Sequence, residues 1–325
     1  MAYRFKTKES VAENVRRIVR EEIDSAVKLL NQPDGRKRDE AVHGARKSIK
    51  KIRGLLRLLK PELGKTFRRE NVHLRDTGRQ LSVLRDAAAL LETITRIQEQ
   101  HGAALDRRVL MGVRKGLREE KQQLEQQFER SKTIAQAASA LRSVAKRLHR
   151  WPLKDNGFKA IAPGLRGTYQ AGRQALRKAK KKQDAESYHS LRKRVKDHWY
   201  HVRLLEGVWT RVMQAHEASL KDLETWLGED HNVDVLRQKL TANPERFGGE
   251  ENVRIFLAVT GEYQKDLQEK SRSLAERVYS EKPRHFVNDI AALWHEWKNQ
   301  PESMSEVERE ARKPAAHPTA KRSAA

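Results

Sequence analysis

Residues 42–59, VHGARKSIKKIRGLLRLL, and residues 188–206, YHSLRKRVKDHWYHVRLLE, carry one pattern at an offset of 146 residues. At about 100° of turn per residue, Val42, Ala45, Ile49, Ile52, Leu56 and Leu59 fall on one side of a helix, the spacing of a core-facing stripe. His43, Arg46, Lys47, Lys50 and Arg57 fall on the opposite side, within a stripe about 100° wide. In the second segment His189, Arg192, Lys193, Lys196 and Arg203 take those positions, and Leu204 and Leu205 stand where Leu58 and Leu59 stand. The register continues without a gap: LRDTGRQLSVLRDAAALLE from Leu74 lies over LKDLETWLGEDHNVDVLRQ from Leu220. Asp76 then pairs with Asp222, Leu81 with Leu227 and Leu90 with Leu236, while Arg75 becomes Lys221, Lys51 becomes Asp197 and Arg53 becomes Trp199. Self-similarity at a fixed offset predicts two copies of one helical unit.

The rest of the chain agrees with a helical reading. Glycine and proline are sparse, 17 and 9 residues, and good helix formers dominate. Helices are predicted over about 9–31, 36–60, 64–102, 104–129 and 132–150, then 162–182, 185–206, 208–240, 245–279 and 283–298. NQPDGR at 31–36, WPLKDNG at 151–157 and TANPERFGGE at 241–250 are the turn-rich breaks. The expected class is all-α: one domain over 1–300 built of two helical repeats, about 1–150 and 151–300. Long helices and short turns predict two antiparallel bundles. Residues 301–325 lack an apolar period and are expected to form a disordered tail.

Like charges at i,i+3 and i,i+4 repel by a few tenths of a kcal/mol per pair, so each stripe works against its own helix unless an anion meets it. The net charge is +24, yet residues 241–325 hold fourteen Lys and Arg against fourteen Asp and Glu. The whole excess therefore sits in residues 1–240, the localised footprint of a polyanion binder. No stretch reaches 18 apolar residues, so no membrane span is expected. The first residues lack an apolar export signal and there is no cysteine, which together predict a cytoplasmic protein without disulfides.

The motif His-x-x-Arg-Lys-x-x-Lys at 43–50, followed by LRDTGRQLSVLRDAAAL, resembles the CHAD domain, the conserved-histidine α-helical domain. LKDLETWLGEDHNVDVL resembles its second-half variant, and PGLRGTYQAGRQAL at 163–176 is similar to the helix that opens the second half. The similarity spans about residues 10–300; Ser82 stands where the family usually has glycine, and Asn232 where it has aspartate. The resemblance implies two four-helix bundles related by an approximate two-fold axis, with a basic central channel or groove. It implies binding of inorganic polyphosphate and association with polyphosphate granules. Carried over by position, the ligand surface comprises His43, Arg46, Lys47, Lys50 and Arg57, then Arg75, Arg79 and Arg85. Arg166, Tyr169 and Arg173 match the third element, and His189, Arg192, Lys193, Lys196, Arg203, Lys221 and His231 complete the set. The residue types suit the ligand: Arg grips two phosphate oxygens, Lys is a mobile point charge, and a phenol or neutral imidazole donates one hydrogen bond.

Other readings of the same residues are weaker. Arg and Lys at i+3 and i+4 from His43 and His189 repel a metal, so no metal or cofactor is expected. His198, among Val195, Val202 and Leu205, reads as a hydrogen-bonded core histidine, and Trp199, Trp209 and Trp226 read as packing residues. Asp76 and Asp222 read as partners that orient neighbouring cations. No phosphate-binding glycine loop, nucleophile elbow or clustered carboxylates are visible, so no enzyme activity is expected. The ExExK strand of the triphosphate-tunnel modules often fused to CHAD domains is missing too; its nearest match, Glu306, Glu308, Glu310 and Arg312, predicts a domain standing alone. The alternative is a basic nucleic-acid-binding protein, for which phosphate contacts would suffice. Against it, aromatics are 6% and do not interleave with the stripes as base-stacking platforms.

Overall fold

The computed structural model describes residues 3–31, 38–101, 106–154 and 157–299, and every regular element in them is helical. The first half contains α1 (Val11–Leu30), α2 (Arg38–Leu58), α3 (Lys60–Leu63), α4 (Lys65–Gln80), α5 (Ser82–His101), α6 (Arg107–Arg130) and α7 (Thr133–Arg147). The second contains α8 (Phe158–Lys182), α9 (Ala185–Leu204), α10 (Thr210–Ala242), α11 (Glu250–Val278) and α12 (Pro283–Asn299). None of these helices is long and apolar enough to cross a membrane. The tail assigned to 301–325 and most of the turn NQPDGR lie outside the described residues.

Local chemistry sets the helix ends. Ser10 and Glu13 form a reciprocal capping box on α1, and the Asp184 carboxylate accepts from the Ser187 N–H at 2.8 Å to start α9. Three boundaries differ from the sequence reading, the simplest being the helix expected from 245, which begins at Glu250 after a separate turn at Pro244–Phe247. The helix expected over 64–102 is interrupted at the buried Leu81, because α4 packs on α2 and α7 while α5 turns away to α6 and α10. One straight rod cannot serve both. The helix expected from 162 starts at Phe158, carrying Pro163 inside it, because Phe158, Ala160 and Ile161 extend its buried face.

The apolar residues form two clusters that do not follow the halves of the sequence. The larger joins α1, α2, α7, α8, α9 and α12. The smaller joins Leu90, Ile94 and Ile97 of α5 and Val109, Val113 and Leu117 of α6 to the distal half of α10 and the proximal half of α11. The 33-residue α10 contributes Leu220, Leu223 and Leu227 to the first cluster and Val233, Leu236 and Leu240 to the second.

The crossing of α2 and α9 fixes the geometry that matters most below. A Cβ on Gly54 would stand 2.7 Å from the Tyr200 Cβ, so glycine alone lets these backbones approach so closely. The buried Gly54 carbonyl accepts from His201 Nε2 at 3.0 Å. A carbonyl cannot donate, so Nε2 carries the proton. Burial pushes His201 down to about 4, which keeps the ring neutral. Beside this crossing α8 closes on the end of α2, where a Cβ on Gly164 would lie 1.8 Å from the Leu58 carbonyl oxygen.

Gly54→Ala should therefore cost about 1–3 kcal/mol of stability through overpacking. Gly167→Ala, on α8 where an added Cβ meets nothing within 4 Å, should add up to about 1 kcal/mol through helix propensity. Urea unfolding of both variants checks this; equal effects of the two substitutions would contradict the crossing described.

Candidate functional site: a cationic cleft

The apolar register of α2 is found as read: Val42, Ala45, Ile49, Ile52, Leu56 and Leu59 are each at most 1% exposed. Burying that stripe turns the cations to the other side. His43 and Lys47 are exposed there, and Arg46, Lys50 and Arg57 are half-buried. On α9, Leu191, Val195, Val202 and Leu205 are buried, leaving Lys193 exposed and Arg192, Lys196 and Arg203 half-buried.

A cleft of about 500 Å³ opens between α2, α4 and α9. Arg46, Lys50, Arg53 and Arg57 line it from α2, Arg75 and Arg79 from α4, and Lys193, Arg194 and Lys196 from α9. Only two carboxylates, Asp86 and Asp197, join these nine cations. Asp197 pairs with Arg57 at 3.0 Å and Arg194 at 3.5 Å, and burial still holds its pKa above the ordinary value. Arg46 donates to the Gly78 carbonyl at 2.9 Å and reaches Asp86 at 3.4 Å. Burial, then Arg57, pushes Arg53 down to about 10, and burial, then Lys196, Arg46 and Arg192, pushes Lys50 down to about 7. A larger hollow, about 760 Å³, lies on the other face of α4 against α7. Its three cations, Lys65, Arg68 and Arg69, come from a single helix, so it is the weaker candidate.

The floor of the second stripe is acidic. Glu224 of α10 accepts from Lys196 at 2.6 Å and Lys221 at 3.1 Å, and Arg192 stands 3.9 Å away. Burial alone would raise Glu224; these cations outweigh it and hold the carboxylate at about 2. Flanking the cleft, His189 stacks on His231 with ring centres 4.0 Å apart. Burial, then His231 and Lys193, pushes His189 to about 4, and burial, then Arg192 and Lys193, does the same to His231. His43 is also lowered, by desolvation and then by Arg85. Arg85 itself is held by Glu92 at 2.5 and 2.9 Å.

Several assigned residues sit elsewhere. Tyr169 is corrected: it is 1% exposed, stacks on Phe286 at 4.3 Å, and donates its hydroxyl to the Val278 carbonyl at 3.2 Å. Burial pushes the phenol up to about 12. It is a core residue because its side of α8 faces α12. Arg166 and Arg173, also on α8, do not line the cleft. Arg203 pairs with Glu217 at 3.0 Å and lies 5.0 Å over the Trp199 ring, and Lys221 lies 5.2 Å over the same ring. Asp76 orients Arg75 at 2.8 Å. His198 is fully buried among Tyr169, His216, Tyr279 and Phe286, but neither ring nitrogen has a hydrogen-bond partner among the described residues, contrary to expectation. Trp209, expected to pack, is 52% exposed because it sits in an extended turn outside the helical phase of α10. Sequence reasoning passed over Arg53 and Arg194. Arg53 stands three residues after Lys50 and four before Arg57, so helical spacing alone would have placed it with them.

Among the described residues, no group of three or more His, Cys, Asp or Glu could hold a metal ion. The profile of the CHAD domain matches residues 20–241, which include every helix lining the cleft. No curated protein matches the chain.

The neutral histidines carry a consequence for stability. His189, His201, His216 and His231 lie near 4 in the folded chain against about 6.5 when unfolded. The unfolded chain then binds more protons below pH 6.5, so stability present above 6.5 is lost as pH falls toward 4. Melting temperature should drop steadily from about pH 6.5 to 4.5, and a flat profile over that range would contradict neutral imidazoles. Above pH 7 it should rise, because Lys50, pushed down to about 7, binds its proton more weakly in the folded chain than in the unfolded one.

Proposed function

The chain belongs to the CHAD domain family, and we propose that it binds inorganic polyphosphate in the cleft between α2, α4 and α9. The observation that carries this reading is the set of nine Lys and Arg side chains from three helices around a cleft with two carboxylates. A polyphosphate chain offers dense negative charge and oxygen acceptors only, which such a lining matches without any group to read a base or a sugar. Single-helix stripes would serve a lone anion; converging stripes suit a polymer that meets many cations in succession.

The finer architecture proposed is two related helical halves around an approximate two-fold axis, with the cleft as its basic groove. Recurrent contacts support it. Arg46 bonds Gly78 and Arg192 approaches Glu224, while Arg85 acts on His43 and His231 stacks on His189, all related by the offset of 146. Gly54 touches Tyr200 and Lys50 acts on Lys196, and each is a residue meeting its own counterpart. Self-contact of this kind is what residues near a two-fold axis do. The protein is further proposed to act by binding alone, without making or cleaving the polymer, and to reside on polyphosphate granules.

Calorimetric titration should show much tighter binding of long-chain polyphosphate than of orthophosphate, weakening steeply as salt is added. Arg79→Glu and Lys193→Glu, both exposed residues of the cleft wall, should each weaken long-chain binding at least tenfold. Lys270→Glu on the exposed face of α11 should not. Duplex DNA or RNA at equal phosphate concentration should fail to displace the polymer, and displacement would favour the nucleic-acid alternative. Incubation with polyphosphate and magnesium should leave the chain length unchanged on a gel; shortening in proportion to protein added would overturn binding without chemistry.

A further inference from the structure

Resting on the polyphosphate reading, we infer that the cleft takes up a proton when it binds its polyanion, and that Lys50 receives it. The argument begins with an asymmetry between the halves. Lys50 and Lys196 are counterparts at the offset of 146 and act on one another across the α2–α9 crossing, two like charges brought together by the packing of Gly54 on Tyr200. Lys196 is neutralised by the Glu224 carboxylate at 2.6 Å. The position equivalent to Glu224 in the first half is Gly78, which has no side chain to give. Lys50 is therefore the lysine of the pair left without a carboxylate of its own.

The surroundings of Lys50 give it no other. On α2 it faces Arg46 and Arg53, with His43 about two turns away at the rim. From α4 come Arg75 and Arg79, and from α5 the Asp86 carboxylate, which is engaged by Arg46. On α9 stand Arg192, Lys193, Arg194 and Lys196, with Asp197 committed to Arg57 and Arg194. Glu224 of α10 is shared by Lys196, Lys221 and Arg192. Among the described residues no carboxylate lies within ion-pairing distance of Lys50.

Burial and this cationic company push Lys50 down to about 7, so above neutrality the free cleft holds it mostly as an uncharged amine. Interior phosphates of a polyphosphate chain are strong acids and stay singly charged throughout this range. Laid in the cleft, they supply the missing negative charge, and an anion within about 4–6 Å raises a cation's pKa by roughly one to three units. The amine nitrogen then takes a proton from the solvent, and the buffer replaces it. His189 and His231, pushed to about 4, stay too far below neutrality to compete, and burial, then Arg85, lowers His43 as well. Linkage fixes the sign: a reaction that consumes a proton weakens as pH rises, here by up to about tenfold per unit between pH 7 and 9.

The test is calorimetry of the full chain with long-chain polyphosphate at pH 8, in HEPES and in Tris, whose ionisation enthalpies differ. Long chains keep the contribution of the titratable end groups small. The wild type should show a buffer-dependent heat corresponding to most of one proton taken up per site. Lys50→Arg, charged in both states, and Lys50→Met, charged in neither, should each lose that uptake per chain bound, with circular dichroism confirming their folds. Binding with equal heats in the two buffers, or undiminished uptake in both variants, overturns the inference while leaving polyphosphate binding intact. No binding in either buffer overturns the polyphosphate reading and this inference with it.

Discussion

The structure hangs on how closely α2 approaches α9. With no side chain on Gly54, Tyr200 settles against the α2 backbone, and the carbonyl buried there is satisfied by His201. That approach brings the cationic side of each helix to one cleft instead of two separate surfaces. A larger residue at 54 would push the stripes apart, and the wall from α4, anchored to α2 through Arg46 on the Gly78 carbonyl, would move with them.

Gathering so many cations is unfavourable, and the fold offsets it in two ways. Fully buried stripes, of leucine and isoleucine under α2 and of leucine and valine under α9, hold the helices in place whatever their outer faces carry. Internal carboxylates then neutralise part of the charge: Glu224 serves Lys196, Lys221 and Arg192, and Asp197 serves Arg57 and Arg194. Removing one of these acids would strand buried cations. What remains uncompensated lies toward α2 and α4, where Arg53, Arg79 and Lys50 look into the cleft. Polar rings around it stay neutral because burial and neighbouring cations both disfavour a further positive charge.

Much of this was legible in the chain itself. The 3.6-residue apolar period of α2 named six buried residues, although Leu55 and Leu58 are buried as well, and it named every cation of the cleft on that helix except Arg53. Local pattern could not report what depends on a distant partner. The interruption at Leu81 follows from α4 and α5 serving different cores. Tyr169 was assigned as a ligand because it matches the family's third element by position, but its own side of α8 faces Phe286 and Val278. Glu224 was hidden for the opposite reason: an acid amid a basic pattern reads as noise until three cations from two helices converge on it. The 146-residue offset held one unread clue, since positions 54 and 200 are counterparts that touch.

The central claim is that stripes from both halves face a single anion-binding cleft. A crystal structure with a bound polyphosphate oligomer tests it most directly. The account predicts one chain of phosphates running between α2 and α9, contacted by Lys50 or Arg53 on one side and by Arg194 or Lys196 on the other. Phosphates confined to the outer surface of one helix, with the cleft between α2, α4 and α9 empty, would contradict it.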